Sequence, residues 1–262
     1  MVNLLDGLFH WWDFTSPSDI SDKATDRTSG IDIDFSEVGT LATALDAPHG
    51  GGWIDFTSSG SNYLSVGGIA SNSSAWGFEH TQNDMTFATV FSLDSIAGSI
   101  NWELFSWRGG AVGTLNFHAF IDNPNGDLIF RCWDDAGTLL ELEEPGLSID
   151  TVYGLVVTID ESTGDGKMYL NNTLVAEATQ ILGIPDPNNR TMRIGQKSWA
   201  TNGNFFGKIG PTGVWGRVLD AADRMWLSNG NSWRLYSELG PVNTNRIVHD
   251  PAALRPVTIG SS

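Results

Sequence analysis

The chain has 262 residues, a formal net charge of −17 and a sequence pI of about 4.4. Because a surface this acidic repels a phosphate backbone, the composition argues against nucleic acid as a partner. Charged residues make up only 17% of the chain and hydrophobic residues 40%, which indicates a globular protein with a sizeable core.

Cysteine content and hydropathy exclude further classes. Cys132 is the only cysteine, so neither an intrachain disulfide nor a metal site built on several thiolates can form. No stretch approaches the ~20 apolar residues needed to cross a bilayer, and we expect no membrane insertion. Residues 1–14 lack a basic region followed by a long apolar run, so no secretory signal is predicted.

Short apolar or alternating stretches, separated by Gly, Asn, Asp and Pro, predict strands along most of the chain. About a dozen strands at this spacing must cover their apolar faces with a second sheet. We therefore expect an all-β, two-sheet antiparallel jelly-roll sandwich, with the first and last strands as neighbours. The predicted strands are residues 4–14, 31–35, 53–56, 63–66, 86–93, 102–107, 115–121, 127–133, 138–142, 153–160, 166–170, 191–195 and 205–215.

The regular part of the chain closes with a strand followed by a short helix. Asp220 is well placed as the helix N-cap, Asp223 adds an acid in the first turn, and Asn229-Gly230 ends the helix. The side chains expected to bury one side of this helix are Met225, Trp226 and Leu227.

This closing stretch resembles the laminin-G-like branch of the concanavalin-A-like lectin/glucanase superfamily. In that family a strand of the type "G-x-I-x-x-V-x-V-W-x-R-x-L" leads into a short helix that begins near an acidic residue. The resemblance implies a jelly roll with one short C-terminal helix over residues 1–239. The matching residues are Gly207-Lys208-Ile209, Val214-Trp215, Arg217-Val218-Leu219 and Asp223, and residues 7–14, 51–56, 85–91 and 153–172 agree in order.

Residues 240–262 follow a different pattern, in which Pro241, Pro251 and Pro256 interrupt any regular element. They are predicted to be an extended C-terminal tail, either a disordered end or an arm that orders on a neighbouring subunit. We expect the partners of this tail to be copies of the same chain or other virion proteins.

A lectin-like sandwich without signal peptide, disulfide or membrane anchor is typical of phage virion proteins. We therefore expect a non-catalytic structural or adhesive module on a virion surface, as a capsid decoration or tail-associated protein that touches host glycans. The alternatives are a cellular carbohydrate-binding module and a polysaccharide hydrolase.

The hydrolase alternative depends on an acidic stretch. Glucanases with this fold carry a strand of the form E-x-D-x-(x)-E, whose alternate carboxylates flank the scissile bond. Asp32, Asp34 and Glu37 reproduce part of that pattern. However, the first position is Asp instead of Glu, and the stretch lies far earlier in the chain than in the enzymes. We therefore predict a protein that is not an enzyme.

Calcium is the cofactor for which the sequence offers candidate ligands, because loop carboxylates are typical calcium ligands. Asp19, Asp22 and Asp26 form one candidate loop, and Asp160 with Asp165 forms another. Neither has EF-hand spacing, and solvated turn residues are the simpler interpretation.

Aromatic side chains stack on sugar rings, and the chain has 11 tryptophans. Most must lie in the core. Trp107, beside a Gly-rich turn, and Trp199, in a loop with Asn202 and Asn204, are the candidates for exposure and glycan binding.

Overall fold

The computed structural model of the chain describes residues 3–14, 26–28, 35–44, 52–56, 62–69, 84–97, 101–108, 116–134, 136–182, 190–198, 203–228 and 239. They form two antiparallel sheets and one helix. The seven-stranded sheet, called the front sheet, contains β2(Ser36–Val38), β5(Tyr63–Ile69), β7(Trp102–Arg108), β8(Asn116–Asp122), β9(Asp127–Trp133), β10(Leu139–Glu144) and β14(Arg190–Ile194). The eight-stranded back sheet contains β1(Leu8–Trp12), β3(Ala42–Ala44), β4(Trp53–Asp55), β6(Met85–Leu93), β11(Val152–Asp160), β12(Asp165–Leu170), β13(Thr173–Thr179) and β15(Gly207–Trp215), and α1(Ala221–Ser228) follows it.

The strand order confirms the predicted sandwich. The front sheet runs β10-β9-β8-β7-β14-β5-β2, and the back sheet runs β13-β12-β11-β6-β15-β4-β3 with β1 also paired to β15. Strands β2 and β3 are additional to the predicted strands, and of the strand predicted at residues 31–35 the structure describes only Phe35.

Strand β15 lies between β6 on one side and both β4 and β1 on the other. Pro211 lies inside this strand although it has no amide hydrogen to donate. The register with β6 shifts between Ile209 and Thr212, which is the kind of irregularity that admits proline to a sheet. Trp11 of β1 pairs with Gly213, so the predicted pairing of the first and last strands is confirmed.

The core between the sheets is rich in aromatic rings. Phe105 and Phe117 of the front sheet stack with ring centroids 5.0 Å apart, and Phe87 of the back sheet lies 4.9 Å from Phe105. Two hydroxyls also lie in the interior, those of Thr89 and Thr212, and they hydrogen-bond to each other at 2.8 Å. This bond satisfies groups that would be costly to bury alone.

Much of the outer face of the back sheet, on the side of β1 and α1, is apolar and covered. A Cβ at Gly213 would lie 2.5 Å from Cε3 of Trp11, so glycine is needed to seat the indole there. Leu219, Leu227 and Leu239 complete the covering cluster with Leu4. One line of residues paired across this sheet is Trp11, Gly213, Ala88, Val156, Tyr169 and Leu174.

Helix α1 begins as predicted. The Asp223 amide donates to Oδ1 of Asp220 at 2.8 Å, and the Asp220 amide donates to Oδ2 of Asp223 at 3.3 Å, so each acid caps the other's backbone. Leu227 is buried, as expected, and Trp226 is partly buried. The expectation for Met225 is wrong: it is 66% exposed, because residues two apart on a helix do not share a face.

Arg217 ties the helix to the start of the chain. Its Nε donates to the Asp6 carbonyl at 2.7 Å, its Nη2 donates to the Asn3 carbonyl at 3.2 Å, and its Nη1 donates to the Asp223 carboxylate. Trp215 adds a bond from its indole Nε1 to the Leu4 carbonyl at 2.7 Å. The closing motif therefore holds the N-terminal segment through side chains as well as through the sheet.

No helix among the described residues has the length and apolarity needed to span a membrane. The tail predicted at residues 240–262 lies outside the described residues.

Substitution Asp220→Ala should lower the free energy of unfolding by about 1 kcal/mol, because the Asp223 amide loses its acceptor. Urea unfolding followed by tryptophan fluorescence measures the change, and Asp220→Ser, which keeps an acceptor, should recover most of it. An Asp220→Ala protein with the wild-type midpoint would contradict the capping role.

Cys132 lies on the inward face of β9, where burial, and then the charge of Asp134, raise the pKa of its thiol to about 12. At about pH 8 only about one thiol in ten thousand is a thiolate, so a disulfide reagent should leave the native protein unlabelled. The same reagent should label one thiol per chain in denaturant. Rapid labelling of the native protein would show that this part of the core opens.

Candidate functional site

The outward face of the front sheet carries polar side chains. Side chains alternate between the two faces along a strand, and residues paired across strands share a face. The register therefore places one outward side chain from every strand in a line across the sheet, which we call the polar row. From β10 to β2 the polar row consists of Glu141, Arg131, His118, Ser106, Arg193, Ser65 and Ser36.

An ion pair occupies the β10–β9 end of the polar row. Nε of Arg131 donates to Oε2 of Glu141, and the two side chains are 33% and 36% exposed. The Arg131 guanidinium also lies over the Phe120 ring, 5.2 Å from its centroid. The ion pair therefore presents donors and acceptors side by side with no net charge of its own.

Next to the ion pair lies a stack of three rings. The His118 imidazole is 4.6 Å from the Phe120 ring centroid and 5.2 Å from that of Trp133, at interplanar angles of 18° and 21°. His118 and Phe120 are buried, whereas Trp133 is only partly buried. Nδ1 of His118 lies 2.5 Å from Oε1 of Glu103, which is completely buried. The stack thus presents the Trp133 indole at the surface.

The centre of the polar row is closed and held by the backbone. The Ser106 hydroxyl donates to the Gln196 carbonyl at 3.0 Å and accepts from the Ser198 amide at 2.7 Å. Ser106 and His118 are cross-strand neighbours, but the serine proton is directed at a carbonyl and not at the imidazole. The arrangement is therefore not that of an activated serine nucleophile.

A second open region lies at β14 and β5. The Arg193 guanidinium stacks over the Tyr63 ring at 4.4 Å, and its Nη1 donates to Oε1 of Gln196 and to the Lys197 carbonyl, each at 2.7 Å. Nε2 of Gln196 donates in turn to Oδ1 of Asn204 at 2.5 Å. Asn204, a glycan-binding candidate from the sequence, therefore belongs to the hydrogen-bond network at this end of the row.

The other glycan-binding candidates are placed differently. Trp107 was expected to be exposed, and this is wrong: it is 4% exposed and its indole packs edge-on against Phe117. It is buried because it pairs with Phe117 and Met192 on the inward face of the front sheet. Trp199 and Asn202 lie outside the described residues.

Asp26, one of the calcium candidates, serves as an internal hydrogen-bond acceptor. Its Oδ2 lies 2.6 Å from Nδ1 of His10, and its Oδ1 accepts from the Trp11 amide and from the Thr28 amide and hydroxyl, at 2.9 to 3.1 Å. Through these bonds the buried Asp26 carboxylate connects residues 26–28 to β1, and both of its oxygens are already hydrogen-bonded. Asp19 and Asp22 lie outside the described residues.

The second candidate calcium loop is the turn between β11 and β12. Asp160 accepts from the Ser162 hydroxyl at 2.7 Å and the Thr163 amide at 3.1 Å, and these bonds lower the pKa of its carboxyl. Asp165 accepts from the Thr179 hydroxyl at 3.0 Å. In the described part of the chain, no group of three or more His, Cys, Asp or Glu side chains is arranged to hold a metal ion.

Of the acids in the hydrolase alternative, the structure describes only Glu37. Its Oε1 accepts from the Leu41 amide, which caps the connection from β2 to β3. Glu37 pairs with Leu64, whose side chain points into the core, so the register places it on the opposite face from the polar row. Asp32 and Asp34 lie outside the described residues.

Sequence reasoning missed the residues at the surface end of the ring stack. Strands β8 and β9 were predicted, and their alternation already separates His118, Arg131 and Trp133 from the apolar positions between them. What the sequence lacks is the cross-strand register, which alone brings Glu103 and Glu141 into the same group.

The two antiparallel sheets and their strand order are those of a jelly-roll sandwich. The chain belongs to the concanavalin A-like lectin/glucanases superfamily, because the Laminin_G_3 family model matches residues 58–223. This match confirms the resemblance seen in the sequence. No curated protein matches the chain.

Receptor-binding domains of botulinum neurotoxins share the fold. The C/D mosaic domain has a TM-score of 0.63 and 13% identity, with 86% of this chain and 51% of that chain covered. The DC binding domain in complex with rat synaptotagmin II has a TM-score of 0.64 and 13% identity, covering 87% and 52%. A type C structure, described by cell entry that depends on two ganglioside molecules, has a TM-score of 0.59 and 12% identity, covering 87% and 52%.

The chain spans about half the length of these toxin domains. At this level of identity the similarity shows the fold alone.

Proposed function

We propose that the chain is a non-catalytic binding module that recognises carbohydrate on the outward face of the front sheet. The observation that carries the proposal is the Trp133 indole beside the Arg131–Glu141 ion pair, at the open end of the polar row. An aromatic ring with polar groups at its rim is the arrangement that binds the apolar face of a sugar and its hydroxyls together.

The charge of this end favours an uncharged sugar. Arg131 and Glu141 neutralise each other, while their remaining donors and acceptors can bond to sugar hydroxyls. Leu139, which pairs with Trp133 across the strands and is 39% exposed, extends the apolar platform. A neutral hexose residue fits this combination better than an acidic one, which would require an unpaired cation.

Binding without hydrolysis is proposed because the carboxylate of the polar row, that of Glu141, is engaged in an ion pair. Glycoside hydrolysis uses two carboxyl groups about 5 to 10 Å apart on either side of the scissile bond. In the polar row the only carboxylate is Glu141, which is bonded to Arg131. The superfamily also contains glucanases. The absence of hydrolysis is therefore part of the proposal, and the release of reducing sugar tests it.

The structural neighbours are consistent with binding at a cell surface. One is a toxin binding domain in complex with rat synaptotagmin II, and another is described by toxin cell entry that depends on two ganglioside molecules. Because their identity to this chain is low, none of their binding residues is assigned to it. The proposal therefore rests on the Trp133 region and not on the neighbours' own sites.

Trp133→Ala should reduce binding to neutral oligosaccharides by about fivefold or more, because stacking on an aromatic ring contributes about 1–3 kcal/mol. An array of glucose, galactose and mannose oligosaccharides measures it, with Leu174→Ala on the back sheet as the control that should bind normally. Release of reducing sugar from the same glycans should stay at background. Wild-type protein that binds none of them, or that cuts one, would contradict the proposal.

A location on a virion surface, with residues 240–262 contacting copies of the chain or other virion proteins, remains part of the proposal. Antibody against the chain should decorate intact particles in electron microscopy, and a chain ending at residue 239 should lose particle association while keeping glycan binding. Particles that carry none of the protein would remove this part of the proposal and leave the binding module in place.

A further inference from the structure

A buried carboxylate contacts the ring stack that includes Trp133. Glu103 is completely buried on the outward face of β7, and its Oε2 has no hydrogen-bond partner among the described residues. A buried carboxylate with one unsatisfied oxygen destabilises a protein. Its presence here therefore calls for a role other than stability. The other carboxylate oxygen, Oε1, forms a short hydrogen bond with Nδ1 of His118.

That bond fixes the plane of the His118 ring. The χ2 torsion of histidine has a broad distribution, so a ring without a partner on its nitrogens can turn about this bond. With Nδ1 held by Glu103, the imidazole lies nearly parallel to Phe120 on one strand and to Trp133 on the next. The orientation of the histidine therefore defines the surface on which the indole rests.

We propose that Glu103 and His118 are positioning residues that hold the Trp133 indole in the orientation that receives a sugar ring. The inference rests on the proposed function and deepens it by naming the residues that position the binding side chain. Neither Glu103 nor His118 touches the ligand. Glu103 orients His118, His118 supports one face of Trp133, and the partly exposed indole makes the contact.

Preorganisation gives the expected size of the effect. A side chain that must be immobilised on binding weakens the complex, and for one such side chain the loss corresponds to about threefold to tenfold in affinity. Removing the Glu103 acceptor should therefore weaken sugar binding by that factor while leaving the ligand contacts themselves in place.

The test uses the full chain labelled with 5-fluorotryptophan, in which the Trp133 signal is assigned by its loss in Trp133→Phe. Glu103→Leu removes the acceptor and the buried charge, but it leaves Nδ1 of His118 without this acceptor and so lowers stability; its urea midpoint is therefore measured to show that it folds. Glu103→Gln keeps an oxygen that can accept from Nδ1. Met168→Ala in the back-sheet core is the control for lost stability without a change at the site.

The probe is the neutral oligosaccharide that gives the highest wild-type signal on the array. We expect Glu103→Leu to broaden or split the Trp133 fluorine signal and to raise the dissociation constant threefold to tenfold. Glu103→Gln should restore both, and Met168→Ala should change neither. In the wild-type protein, nuclear Overhauser effects should connect the His118 imidazole with the Trp133 indole.

Wild-type affinity and a single sharp Trp133 signal in Glu103→Leu would overturn the inference, and so would the absence of the Overhauser effects. If the wild-type protein binds glycans but Glu103→Leu behaves like the wild type, the proposed function is retained and the positioning role is rejected. If the wild-type protein binds none of the glycans, the proposed function fails and the positioning role falls with it.

Discussion

The structure depends on the pairing of the last strand with the first. Strand β15 lies inside the back sheet, and it receives β6 on one side and β1 on the other. Arg217, just beyond it, donates to two carbonyls of the N-terminal segment and to Asp223 of the helix. Contacts between residues this far apart in sequence carry a large loop-closure cost, so we infer that the sandwich closes late in folding.

That same closure decides which surface of the sandwich remains available. The helix and the N-terminal segment cover the outer face of the back sheet, where Trp11, Trp215 and Leu227 form an apolar cluster. The outer face of the front sheet has no corresponding apolar cluster in the described residues, and its open ends carry Trp133 and Arg193. The closing motif therefore covers the outer face of the back sheet, and the proposed binding site lies on the other sheet.

Local patterns predicted most of the fold, because strands, turns and the Asp220 cap are encoded within a few residues of one another. Position across a sheet is different, since it depends on pairing between distant strands. Trp107 beside a Gly-rich turn was therefore misplaced, and Met225 was assigned to the wrong side of a helix that is only two turns long. The polar row could not be assembled from the sequence, because six separate registers bring its members together.

Comparison of the two sheets shows that the fold does not require the chemistry of the polar row. A line of paired residues on the outer face of the back sheet, which includes Gly213, Ala88 and Val156, is apolar throughout. The equivalent line on the front sheet contains Arg131, His118 and Arg193, although an apolar covering would stabilise this architecture equally well. Since both sheets obey the same alternation, this difference supports the proposal that the binding site lies on the front sheet.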